Sequence, residues 1–228
     1  MKENKTAMVV AGIVVGLLVG GGVGFATGNS KDSSTAKTDS TVAMEAKTTD
    51  TKPAGLRVLL NNLEAEHVEL ASAATRAGFD GSPTFDAAAG ALGKNTDSLS
   101  GAIASVYGDA AGAKFKEIWS SHIGFFVDYT VAAKAGDKAG MDKAVENLNG
   151  YVEAISTFLS GANPNLPKEA VAQLVTEHVT LLKEAVDKYG AGDYAGSYDA
   201  QSRARVQITT KIADTLAGAI VKQSPDKF

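Results

Sequence analysis

The sequence predicts an all-α protein: three αα-hairpin repeats forming a compact six-helix bundle, preceded by an N-terminal transmembrane helix. Ala and Gly are abundant among the 228 residues while aromatics and prolines are few, which favours helices over a sandwich or barrel. Apolar residues recur at helical spacing around each of the chain's three histidines: Leu60, Leu63, His67, Leu70, Ala74; Ile118, His122, Phe125, Tyr129; and Leu174, His178, Leu181, Ala185. The histidines are 55 and 56 residues apart, so they mark one position of an internal repeat on the inward stripe of three helices.

The N-terminus supplies the first element. Lys2 and Lys5 precede about 21 uncharged residues, Ala7 to Thr27, the length of a membrane-spanning helix. Lysines before the span place the N-terminus in the cytoplasm and the C-terminal domain outside. A cleaved signal peptide competes with this reading, because Gly24-Phe25-Ala26 has the small-x-small form of a cleavage site; the protein would then be secreted. The apolar run is long for a signal, so residues 1–28 are expected to remain as an anchor. Gly12, Gly16, Gly20, Gly24 and Gly28 form a strip down one face through which two such helices could associate.

Residues 29–52 are rich in Ser, Thr, Asp and Lys and are expected to form a flexible tether reaching roughly 25–30 Å. The folded domain is expected over 53–228. Pro53 opens helix one, which should stop at Gly78. Ser82-Pro83 should start helix two, weak enough over Gly93 to Asp97 to kink, and Gly108-Asp109 should separate it from helix three. Trp119, Phe125, Phe126 and Tyr129 suggest that helix three is the central one. Asp137 should cap helix four, with Met141, Val145, Leu148, Val152, Ile155 and Leu159 inward. The stretch Gly161 to Pro167 is the clearest turn, helix five ends near Gly190, and helix six starts near Asp193 with Ile208, Ile212, Leu216 and Ile220 inward. The last residues from Ser224 should fray.

The repeat can be followed between its second and third copies with a single one-residue slip. Gly136-Asp137-Lys138-Ala139-Gly140 matches Gly192-Asp193-Tyr194-Ala195-Gly196 at an offset of 56, and Ile155 to Gly161 matches Ile212 to Gly218 after a one-residue slip. Three units of this kind could also stack as an open solenoid, but a compact bundle is expected.

The stretches YGDAAGAKFKEIWSSHI, FLSGANPNLP and IADTLAGAIVKQSPDKF resemble a functionally uncharacterised family of exported all-helical proteins of Gram-positive bacteria. The resemblance covers most of residues 56–228 and implies a helical fold and export. It transfers no catalytic residues.

The net charge of −4, with Lys and Arg dispersed, argues against nucleic-acid binding. The absence of cysteine excludes disulfides, thiolate zinc sites, thiol catalysis and a lipoprotein anchor. No nucleophile elbow, phosphate loop or dinucleotide fingerprint occurs, so no catalytic residues are assigned. The histidines are the chemically suggestive feature. Glu64-x-x-His67 places a carboxylate and an imidazole on one helix face, but Trp119 and Val175 stand at the equivalent positions before His122 and His178, which argues against a di-iron centre. If the bundle closes, His67, His122 and His178 could converge on zinc or copper, with Glu64 as an additional ligand. Glu66, Glu69, Asp128, Glu177 and Glu184 lie close in sequence. Otherwise each histidine fills a separate core position, hydrogen-bonded to a carboxylate or serine of a neighbouring helix, and Glu64, Glu66 and Glu69 form a solvated helix face. A pocket beside His122 could admit a small apolar ligand or haem.

Two functions of different class follow. The favoured one is a membrane-anchored, extracytoplasmic, non-enzymatic helical module that binds an envelope protein or a small ligand. The alternative is a metal-handling or metal-dependent protein using His67, His122 and His178.

Overall fold

The computed structural model describes residues 49–228. The predicted membrane helix, its glycine strip and the tether up to residue 48 lie outside the described residues. Among the described residues no helix is long and apolar enough to cross a membrane.

The described chain is an all-α bundle: α1 (Lys52–Asp80), α2 (Phe85–Tyr107), α3 (Asp109–Ala135), α4 (Lys138–Ala162), α5 (Lys168–Gly190), α6 (Tyr194–Gln207) and α7 (Asp214–Gln223). A π-helical segment, Ile208–Ala213, joins α6 to α7, so the two run as one rod. Local chemistry sets most termini. The side chains of Thr51, Asp137 and Asp193 each accept a backbone N–H in the first turn of α1, α4 and α6. Gly81 and Gly136 close α1 and α3 in the left-handed conformation, at φ 69° and 68°.

Several expected boundaries shift. α1 runs past Gly78 to Asp80, because Gly78 faces the ring of Phe85 and is a packing position rather than a stop. Ser82 to Thr84 form a turn in which Ser82 Oγ accepts from the Thr84 N–H (3.2 Å), so α2 begins at Phe85. α2 is continuous through Gly93 to Asp97: Asn95 turns inward, where its amide donates to the Leu63 carbonyl (2.9 Å) and to Glu66 (2.8 Å). The expected fraying after Ser224 is replaced by a 3₁₀ turn, with Lys227 Nζ donating to the Val106 carbonyl (3.0 Å) and Phe228 packed on the core.

α1, not α3, is the central helix. It packs on α2, α3, α5, α6, the π segment and α7. Its buried face carries Ser72, Ala74 and Ala77 beyond His67, small side chains that let neighbours approach. Contact between α1 and α7 joins the first and last helices, and Arg57 and Asn61 of α1 both donate to Asp214, at 2.7 and 2.8 Å to Oδ1. The ends of an open solenoid would not meet in this way. The main apolar core draws on all the helices except α6, around Leu60, Ile103, Trp119, Ile155 and Ile220.

The π segment re-phases the last rod. Ile208 and Ala213, five residues apart, are both fully buried, and Leu216, Ala217 and Ile220 continue that face. An uninterrupted α-helix would carry the stripe out of register by one residue. Thr209 and Thr210 donate their hydroxyls to the Arg205 and Val206 carbonyls (2.9 and 2.7 Å), satisfying acceptors in the widened turn.

Candidate functional site

The helices bring the three histidines together. α1 contributes Glu64 and His67, one turn apart on one face; α3 contributes Trp119 and His122; α4 contributes Tyr151; α5 contributes His178; and α6 contributes Gln207. Glu64, His67, His122 and His178 are 2, 1, 3 and 5 % exposed, so the cluster lies fully inside the bundle.

His67 is the hub. Its Nε2 stands 3.4 Å from Nε2 of His122, and its ring centre lies 5.4 Å from that of His122 and 6.4 Å from that of His178. Trp119 packs against both His67 and His122, with ring centres at 4.9 and 4.8 Å. Tyr151 stacks on His122 at 4.4 Å. The tryptophan that breaks the Glu-x-x-His pattern is thus the wall of the cluster.

Hydrogen bonding fixes one tautomer. The Gln207 amide donates to the Leu174 carbonyl (2.9 Å), which turns its oxygen toward His178 Nδ1 (3.2 Å). His178 therefore carries its proton on Nδ1, and its Nε2 presents a buried lone pair with no partner. His67 and His122 can share one proton between their Nε2 atoms, but each Nδ1 then lacks a partner of hydrogen-bond geometry. Glu64 Oε2 and Trp119 Nε1 are likewise buried and unpaired. Polar atoms in a core are nearly always satisfied, so five orphans around one point are unusual.

Burial sets the charge state. It depresses all three imidazoles: His122 to about 3 and His178 to about 4, with His67 also well below its ordinary range and pushed further by its two neighbours. Burial raises Glu64 to about 8 and raises the Tyr151 phenol, which also feels Glu64. At neutral pH the cluster holds neutral imidazoles with their lone pairs available and a largely protonated carboxyl.

A cavity of about 390 Å³ reaches the cluster. It runs from the α1–α2 connection, between α1, α3 and α5, to an inner end at His67 and His122, with Ser72, Phe85, Phe126 and Leu182 among its walls. Ser72 lines it, and its Oγ is buried without a partner. Tyr129 closes the neighbouring core and donates to Asp187 (2.5 Å).

All three predicted histidines meet, and Glu64 joins them instead of lying on a solvated face. The other carboxylates do not. Glu66 binds Asn95, Glu69 binds Gln201, Glu177 binds Lys211 and Glu184 binds Arg203, all toward the surface. The histidines also do not occupy separate positions served by carboxylates or serines. Their partners are each other and Gln207. Tyr151 was missed, although it follows Leu148 by three residues and precedes Ile155 by four, on the same stripe. Gln207 had no sequence signal, since its role depends on a helix 29 residues away. As the side chains stand, no three His, Asp or Glu among the described residues are grouped closely enough to hold a metal ion.

No family model matches the chain, and no curated protein and no solved structure matches it significantly.

Proposed function

We propose that this chain is a membrane-anchored, extracytoplasmic helical binding module whose cavity takes a small, mainly apolar ligand with one hydrogen-bonding group. The single observation that carries this reading is the cavity of about 390 Å³ with apolar walls and two imidazoles at its inner end. Apolar walls supply affinity by burial, and a few convergent polar atoms orient the ligand. The His67 and His122 imidazoles at the inner end are the polar groups that would orient it. Residues 7–27 anchor the module with its N-terminus in the cytoplasm, and the following tether holds it off the membrane. The resemblance to exported helical proteins supports the same placement.

The domain is read as three αα-hairpins that arose by repetition, each a histidine-bearing helix and its partner. The one-residue slip between the second and third copies falls between Gly196 and Ile212. The π segment, where a helix accommodates one extra residue, lies over that interval.

The test uses a homologous series of n-alkanols on the full-length protein in detergent. The chain's one tryptophan, Trp119, touches both imidazoles and reports binding by its emission. Affinity should rise about fourfold per methylene, the equivalent of ~0.8 kcal/mol, until the cavity is full. Ser72→Leu, which fills the cavity and removes an unpaired hydroxyl, should abolish binding and leave the fold as stable or more so. Equal binding by wild type and Ser72→Leu would overturn the reading.

A further inference from the structure

We propose that His67, His122 and His178 hold one zinc or copper ion through their Nε2 atoms at the centre of the bundle. This goes beyond ligand binding in the cavity and does not depend on it.

The spacing of the first two donors carries the inference. At 3.4 Å, the His67 and His122 Nε2 atoms form at best a long hydrogen bond, beyond the roughly 2.7–3.2 Å usual for an N–H donating to oxygen. Two imidazole nitrogens bound to a tetrahedral ion at about 2.0–2.1 Å stand about 3.3–3.4 Å apart. An ion would also make the two rings equivalent. Without it the two rings must be opposite tautomers, one with a buried N–H and the other with a buried lone pair, both unpaired at Nδ1. With both Nε2 atoms ligated, the rings are equivalent and each carries its proton on Nδ1.

The third donor is oriented from outside the cluster. Gln207 holds the proton of His178 on Nδ1 and leaves Nε2 as a buried, unpaired lone pair. A hydrogen bond to the non-ligating nitrogen is the usual support of a metal-bound histidine. Gln207 itself abuts the π segment, a distortion that often accompanies functional sites. Glu64, one turn before His67, is the one carboxylate buried among the described residues, and its Oε2 is unpaired. It can offset the charge of a divalent ion. The donors are imidazole nitrogens without thiolate or an oxygen-rich shell, which selects zinc or copper over calcium or magnesium. The His67–His122 pair already has ligand spacing; His178, whose ring centre is 6.4 Å from that of His67, must move inward to complete the shell. As they stand, the described side chains form no closed three-residue group.

The experiment uses full-length protein purified in detergent without a histidine tag or chelator. Dialysis against Zn²⁺ or Cu²⁺ should load one ion per chain, and the Cu²⁺ form should show hyperfine coupling to several nitrogens in its electron paramagnetic resonance spectrum. His67→Gln and His122→Gln should each lose at least tenfold in affinity. Gln207→Leu should lose about 10–100-fold by releasing His178, and Glu177→Gln, on the surface beside His178, should bind as wild type does. Failure to load, or equal loading of the histidine variants, overturns the proposal. If those variants fail to fold, a wild-type copper spectrum without nitrogen coupling overturns it, and one with such coupling supports it. Ser72→Leu should keep the ion, so loss of alkanol binding and loss of metal binding are read separately.

Discussion

Glu64 is the residue whose environment departs most from its sequence reading. The stretch LNNLEAEHVEL offers several faces, and three glutamates spaced by two and three residues read as solvated. Packing of α1 on every side but α4 puts one of them inside. The consequence is a pH dependence of the metal-free protein. The folded state keeps Glu64 protonated up to about pH 8, whereas an exposed glutamate loses its proton near 4.5, so the unfolded chain binds fewer protons in between and stability falls as pH rises. The histidines act oppositely. His67, His122 and His178 stay neutral in the fold while the unfolded chain binds protons below about 6.5, so stability rises with pH up to that value. Stability should therefore peak near pH 6.5 and decline to about 8. Glu64→Gln should remove the decline and exceed wild type at pH 8 by about 1–3 kcal/mol. Urea midpoints from pH 5.5 to 8.5 measure this; a decline unchanged in the variant would place the titrating group elsewhere.

Among the elements, α3 offers the sharpest contrast. Gly112 sits where α3 crosses α2: an added Cβ would lie 2.6 Å from the Ala104 Cβ and 2.9 Å from the Ser100 carbonyl oxygen. Gly124, twelve residues on in the same helix, has open space around it. Gly112→Ala should destabilise by about 1–3 kcal/mol through overpacking. Gly124→Ala should stabilise by about 0.5–1 kcal/mol, since only helix propensity changes. Opposite shifts in denaturation midpoint are expected, and a harmless Gly112→Ala would mean that the α2–α3 crossing is looser than described. Elements were largely legible in the sequence because their ends are local: Asp137, Asp193, Gly108 and Gly136 act through their own backbone or the next turn. The π segment was not legible in the same way, because the re-phasing from Ile208 to Ala213 answers to what α1 presents across the interface.

For the whole molecule, the candidate site was half legible. Periodicity put His67, His122 and His178 on inward stripes, but their meeting depended on whether the bundle closed, and closure rests on contacts such as Arg57 with Asp214, separated by 157 residues. The cavity, Tyr151 and Gln207 belong to that same long-range geometry. The proposed topology has its own test. Protease added to intact cells should digest the domain while a cytoplasmic control survives, and a mature protein still starting near Met1 would support the retained anchor. Survival of the domain until lysis would remove export, and a mature end at Thr27 would make the protein secreted.

The position of α1 at the centre has a consequence for biosynthesis. The helix that every later element except α4 needs is also the first of the domain to leave the ribosome. Asp214 follows Arg57 by 157 residues, so at about 5–20 residues per second the exposed flank of α1, with Glu64 and His67 on it, waits roughly 10–30 s for its last partner. During that interval the nascent chain carries an uncovered apolar stripe. Such a stripe is a natural target for a holding chaperone, and the arrival of the final rod is the event that would release it.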